Sequence, residues 1–317
     1  MASARGAVAA VAAVAVAGVA VIVAAALVLF LGTRGPSGDP ASAGPSGIAG
    51  SGQARDGLVS SERTPAGQAG PHANPLSSAA AAYLKGRSGT VSAAVYDVRT
   101  GQTWQLGDGQ AQPEASIVKL DILETMLARP RGAALSAADQ ALARSMIEDS
   151  DNEAATSLWN EDGGAAGLTY YGDRAGLTET TPSQCLTCAG FTFPGWGLST
   201  TVPQDQLTLL KQLIVPGPHP LLSGAARSYA LSLMEHVAAD QRWGVSGGVP
   251  AGVTVALKDG WLPLDAAATN WQVNSVGWVS GRGRDYLIAV LTTGNPTEKY
   301  GIDTISGLSS LVWNAMR

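Results

Sequence analysis

The sequence predicts an α/β fold of the α+β type: one antiparallel sheet flanked by terminal helices, with a helical subdomain inserted into it. Three observations carry this expectation. An alternating, β-branched stretch, TVSAAVYDV (90–98), opens the globular part and is followed by a turn and a second extended stretch. Helix-patterned segments then fill the middle of the chain, and three more strand candidates with a final helix close it. Strands on both sides of the helical run bury their apolar faces by pairing with one another, so a single sheet is assembled from distant segments.

The first element precedes the globular part. From Ala7 to Leu31 the chain carries no charged residue, and at about 1.5 Å of rise per residue such a helix crosses a bilayer. Residues 7–32 are therefore expected to form a single-pass transmembrane signal-anchor helix, with residues 1–6 cytoplasmic and the rest extracytoplasmic. Arg5 and Arg34 flank the run on either side, so basic residues alone do not orient it. The alternative is a cleaved signal peptide and a secreted protein, although the apolar core of such peptides is usually shorter. Residues 33–75 are dominated by Gly, Pro, Ser and Ala without apolar periodicity. They read as a disordered linker in which His72 is a solvated residue.

The domain then runs from 76 to 317. SSAAAAYLKGR (77–87) is a short helix of strong formers. The strand at 90–98 turns through Arg99-Thr100-Gly101 into QTWQLG. Ser116 opens a helix ending near Arg129, before Pro130, and Ser136 caps the helix AADQALARSMIE. EAATSLW continues as helix, a Gly-rich segment runs to Leu177, and residues 178–200 form an irregular loop. Thr200 or Thr201 is the expected N-cap of PQDQLTLLKQLIV, and residues 221–237 form another amphipathic helix. Strands are expected at 253–258, 271–280 and 285–293, and a last helix over Glu298–Met316.

Hydrophobic residues make up 45% of the 317-residue chain, enough for a packed core. Lys+Arg 20 against Asp+Glu 25 gives a net charge of −5. Without a Lys/Arg cluster able to grip phosphates, no nucleic-acid partner is expected. The two cysteines, Cys185 and Cys188, form a C-x-x-C. A redox motif needs a strand before and a helix after, and a structural zinc site needs four ligands, so a small structural disulfide is expected. Neither metal nor cofactor is called for.

Ser116 and Lys119 lie three apart, so on a helix their side chains rise from the same face. The first turn of a helix favours developing negative charge, and a lysine held among Ile117, Val118 and Leu120 is desolvated into a proton acceptor. Taken alone, the pair also fits an N-cap serine and a surface lysine. Ser150-Asp151-Asn152 follows a helix end, where hydroxyl and amide side chains can face a cleft, although these are ordinary cap residues as well. Lys258-Asp259-Gly260-Trp261 stands at the end of a predicted strand, with a small residue where a substrate approaches the backbone.

S-x-x-K, S-D-N and K-x-G in this order resemble the signature set of class A β-lactamases and penicillin-binding proteins. The resemblance covers essentially residues 76–317, and DQRWGVSGGVPAGVTVALKDGW is similar to actinobacterial serine hydrolases of that superfamily. It implies that Ser116 is the acylated nucleophile, Lys119 its proton acceptor, and Ser150 the relay to the leaving group, aided by Lys258. Asn152 would hold the substrate amide, beside Asp259, Gly260 and Trp261 as further substrate-binding positions. The N–H groups of Ser116 and Trp261 would form the oxyanion hole. The implied substrate is a β-lactam, a cell-wall peptide or a related small acyl compound.

Three departures qualify this. Residues 181–203 contain no Asp or Glu, whereas class A enzymes carry there the glutamate that activates water on the acyl-enzyme; slow deacylation is expected, with Glu179 as the substitute to consider. Asp259 replaces a Thr or Ser whose hydroxyl meets the substrate carboxylate, and no arginine follows on the next strand. Either Asp259 turns away, or the substrate lacks a carboxylate or carries an amine. The gap between Ser116 and Ser150 is short, implying a more open cleft. Gly244-Val245-Ser246-Gly247-Gly248 matches a nucleophile elbow literally, but a helix precedes it and a strand follows, the reverse of what the elbow needs. His219 and His236 belong to no triad pattern, and most tryptophans, Trp196 among them, are expected in the core. The rival to an acylating enzyme is a non-catalytic ligand-binding or sensor module on the same fold.

Overall fold

The alternating segment at 90–98 forms β1 (Thr90–Asp97), and the turn at Gly101 returns the chain as β2 (Thr103–Leu106) in a computed structural model that describes residues 73–129 and 135–317. The anchor expected at 7–32 and all but the end of the linker expected at 33–75 lie outside the described residues. Among the described residues no helix is long and apolar enough to cross a membrane.

The closing strands join the opening hairpin. β1 pairs antiparallel with β7 (Arg284–Asn295), β7 with β6 (Trp271–Gly281), and β6 with β5 (Thr254–Pro263), giving the order β2-β1-β7-β6-β5. Tyr286 through Leu291 are buried without a break, so both faces of β7 are covered. α1 (Ser78–Lys85) and α8 (Glu298–Ala315) pack on each other, and α8 on β6 and β7. α6 (Pro203–Ile214) packs on β1 and β7.

Between β2 and β5 lies the helical subdomain. α2 (Val118–Leu127) is buried at all ten positions, including Lys119, Asp121 and Glu124. α3 (Ala137–Glu148), α4 (Asn152–Glu161) and α5 (Gly164–Ala175) surround it, and α7 (Gly224–Glu235) packs on α3 and β5. Ser136 caps α3 by accepting from the Asp139 N–H, and Asp151 caps α4 through the Ala154 N–H.

Three expectations are corrected here. Ser116 lies in a 3₁₀ turn, Ala115–Ile117, and the α-helix starts only at Val118. Thr200 and Thr201 do not cap α6: they form β4 (Thr200–Thr201) against β3 (Gln112–Pro113). The Thr201 hydroxyl is engaged by Thr180 and Gln206, and α6 starts with Pro203, whose fixed φ suits a first helical position. β5 runs on to Pro263 because β6 pairs with it over its full length, so Lys258-Asp259-Gly260-Trp261 is within the strand.

Candidate active site

The backbone around Ser116 is held from three sides. On β6, the Asn274 amide donates to the Pro113 and Glu114 carbonyls at 2.8 and 2.9 Å. The Glu114 N–H donates to the Ser199 carbonyl at 2.8 Å, tying the nucleophile turn to the 178–200 loop. On β5, Gly260 passes so close that a Cβ there would lie 2.6 Å from the Ser116 nitrogen and 2.8 Å from that of Ile117. Any side chain at 260 would push the strand off the turn. β5 is an edge strand, so alternate N–H groups point away from the sheet.

Two residues of the site hold left-handed backbone conformations, Ala115 at φ 52° and Ser150 at φ 56°. A non-glycine residue there costs roughly 1–2 kcal/mol. These two strained positions stand immediately before Ser116 and within the S-D-N segment.

The floor of the cleft is a chain of polar contacts. The Lys119 ammonium donates to the Ser150 carbonyl, to the Ser150 hydroxyl at 3.0 Å and to Asn152 Oδ1 at 2.8 Å. Lys258 donates to the same hydroxyl at 3.0 Å and to the Asp259 carbonyl at 3.1 Å. One hydroxyl thus lies between two lysines, placed to pass protons from either. Burial, reinforced by the Lys258 charge, draws the Lys119 pKa down to about 6 against the opposing pull of Asp151. A lysine lowered this far can lose one of its three protons near neutral pH and take one back. Burial also lowers the pKa of Lys258, with Asp259 opposing the shift.

Ser116, Lys119, Ser150, Asn152, Lys258 and Gly260 are therefore assembled at one place. Asp259, expected among the substrate contacts, is not brought to the cleft. Strand alternation turns it away from the face on which Lys258 meets Ser150 and Gly260 meets Ser116. Its carboxylate is fully buried, accepts from the Trp243 N–H at 3.2 Å and is hydrogen-bonded by Ser275. Burial raises its pKa. Trp261 is half-buried, with its ring 5.9 Å from that of Trp243.

The wall of the cleft comes from the 178–200 loop. Phe191, Phe193 and Trp196 line it beside Ser116 and Asn152, with Trp261 and Leu262 from β5. Trp196 is buried in the core, as expected, and at the cleft wall it stacks on Phe193 at 4.8 Å between ring centroids, with the Lys119 ammonium 5.2 Å from its ring. Cys185 and Cys188 are joined as a disulfide. The Gly195 N–H donates to the Cys185 carbonyl and the Phe191 N–H to that of Cys188, so the bridge anchors both ends of the aromatic stretch. Glu179 is exposed and does not line the cleft. His219 is exposed in its loop, and Gly244–Ser246 is a 3₁₀ turn whose serine hydroxyl donates to the Arg242 carbonyl.

Behind the nucleophile turn lies a group of buried acids that sequence reasoning missed. Glu114, Asp121 and Glu124 are all raised in pKa by burial, Asp121 to about 8. Glu124 accepts from the Tyr171 hydroxyl at 2.7 Å, and Gln206 donates to Glu114 at 3.4 Å. Asn274 was missed as well, although a lone Asn inside the buried strand WQVNSVGWVS is itself a visible signal. Among the described residues no group of three or more His, Cys, Asp or Glu is arranged to hold a metal ion.

Comparison with known proteins gives three results. A family model described as "Beta-lactamase enzyme family" matches residues 124–316, well over half of the chain, beginning just after Lys119. The curated protein named "Putative lipoprotein LppW" from Mycobacterium tuberculosis, and the one of that name from Mycobacterium bovis, are each 29% identical over 211 residues, 63% of this chain. The aligned region spans 62% of the length of those relatives. The structures of a class A β-lactamase from Mycobacterium abscessus (22% identity, TM-score 0.60, 74% of this chain and 96% of that one) and of one from Bacteroides cellulosilyticus (18%, 0.63, 77% and 98%) share the fold.

Proposed function

Because the chain belongs to the beta-lactamase enzyme family, we propose that it is a serine hydrolase of the β-lactamase type, which forms an acyl-enzyme on Ser116 and releases the acyl group slowly. The observation that carries this reading is the Ser150 hydroxyl held 3.0 Å from both Lys119 Nζ and Lys258 Nζ.

In the proposed reaction the Lys119 amine takes the Ser116 proton as Oγ attacks the carbonyl carbon. Negative charge develops on the carbonyl oxygen and is met by the N–H groups of Ser116 and Trp261, fixed dipoles that need no reorganisation. Ser150 then hands a proton to the leaving group, with the Lys119 and Lys258 ammonium groups able to replenish it. Asn152, exposed at the mouth, binds the substrate amide. Slow release is supported by the wall: no carboxylate lines the cleft among the described residues, and Trp196 covers Lys119 on that side.

An extracytoplasmic, membrane-anchored location is part of the proposal. It is supported by the uncharged run from Ala7 to Leu31 and by the lipoprotein name of the mycobacterial relatives. The substrate is proposed to be a β-lactam, a cell-wall peptide or a related acyl compound.

Time-resolved intact-mass spectrometry of the full chain with millimolar benzylpenicillin tests the reading. The expected result is an adduct of the drug's mass that persists for minutes and is missing in Ser116→Ala. Drug consumption with no surviving adduct would contradict slow release. Neither adduct nor consumption would sink the β-lactam reading and point to another acyl substrate or to the ligand-binding module.

A further inference from the structure

The floor of the cleft specifies a reaction, and its wall specifies what can be placed there. We propose that the natural substrate is an uncharged ester or amide whose acyl group is aromatic or aliphatic and bears no carboxylate; this rests on the acyl-enzyme reading of Ser116.

The cleft beside Ser116, about 280 Å³ counting its open mouth, is walled by Phe191, Phe193, Trp196, Trp261 and Leu262. Phe193 and Trp196 lie nearly parallel, 15° apart, while Phe191 meets Phe193 edge-on at 5.6 Å. The half-buried rings of Phe191, Phe193 and Trp261 leave apolar surface for a ring or a hydrocarbon chain, whose transfer from water is favourable in proportion to the area covered. The disulfide and the Cys185 and Cys188 carbonyls hold the loop, so the wall is preformed.

The same cleft offers a carboxylate no partner. Apart from the buried lysines of its floor, no charged side chain lines it among the described residues. The two lysines beneath are fully buried, Lys119 among three acceptors and Lys258 against Ser150 and the Asp259 carbonyl. The Asp259 carboxyl, buried one residue from Gly260, adds only negative charge when ionised. A substrate carboxylate would lose its water and meet no exposed cation in exchange. On an ester, the Ser116 Oγ–carbon bond forms as the carbon–oxygen bond to the alcohol breaks. The alcohol leaves with a proton from Ser150, and one water later releases the acid.

Burst kinetics of the full chain with p-nitrophenyl phenylacetate, acetate and hemisuccinate test this. The expected acylation rates fall in that order, phenylacetate exceeding acetate at least tenfold, as the filling of an apolar pocket predicts. Phe193→Ala should lower the phenylacetate-to-acetate ratio about tenfold, and Phe193→Leu should restore most of it. A hemisuccinate rate equal to that of phenylacetate, or a ratio unmoved by Phe193→Ala, would overturn the proposal. Labelling of Ser116 by a neutral fluorophosphonate separates the two claims. If Ser116 is labelled while hemisuccinate reacts as fast, only the substrate class falls. If Ser116 is not labelled and no burst appears, both fall.

Discussion

Lys119, Ser150 and Lys258 on the floor of the cleft are joined through one hydroxyl by hydrogen bonds of 3.0 Å, whereas Phe191, Phe193 and Trp196 on its wall meet through ring faces and edges. The floor demands particular atoms at particular places, since a buried lysine without acceptors is costly. The wall demands only apolar area of suitable shape, which many sequences supply. A chain can therefore keep the reaction of its family while changing the substrate it takes, and the two regions are open to separate attack.

The largest effect is expected where the floor meets the sheet. Gly260→Val would drive a side chain into the Ser116 and Ile117 nitrogens, shifting β5 from the nucleophile turn. Fluorophosphonate labelling of Ser116 should slow at least about 100-fold, the cost of losing an oxyanion donor or misplacing a reacting group by about 1 Å. A thermal melt shows that the variant is folded. Labelling within about threefold of wild type would mean that the close approach at Gly260 does not shape the site.

How much of this was legible in the sequence follows the same division. The order of strands and helices was readable because the period of apolar residues switches from two to 3.6 and back. Ser116, Lys119, Ser150 and Lys258 were readable because chemistry restricts residue type and spacing. What a linear pattern hides is conformation and orientation. The left-handed backbone of Ala115 and Ser150 leaves no mark on residue identity. That Asp259 turns away from the cleft into a buried position depends on β5 running on past Lys258, and that depends on its pairing with β6. Trp196 is core, as read, but its part in the cleft wall was hidden because burial and cleft lining draw on the same residue type. Glu114, just before the nucleophile turn, and the acids on α2 were hidden beside and within an apolar run, where their burial depends on helices distant in sequence.

Those acids give a smaller effect, one of stability and not of rate. Glu114, Asp121 and Glu124 have folded pKa values raised by burial. Below the unfolded value of 4.5 for a glutamate both states are protonated and nothing is lost. As pH rises from about 4.5 to 6 the unfolded chain ionises while the folded one stays protonated, so stability falls. Each such group contributes up to about 1.4 kcal/mol per pH unit. Lys119, with its pKa near 6, and Lys258 stay protonated in both states over most of this window. The melting temperature should fall across it, and Glu124→Gln, which preserves the contact with Tyr171, should flatten the slope. An unchanged slope in that variant would show that Glu124 is ionised in the folded protein.

The central claim is that buried Lys119 works as an amine to activate Ser116. The rate of Ser116 labelling by a neutral fluorophosphonate, followed by intact mass from pH 4.5 to 9, tests it most directly. A group that acts deprotonated gives a rate that rises with pH through its own pKa. A rise with a midpoint near 6 is expected, where burial and the Lys258 charge place Lys119, with a plateau above pH 7. A rate that is flat over this range, or that rises only towards the ordinary lysine value of 10.5, would contradict it.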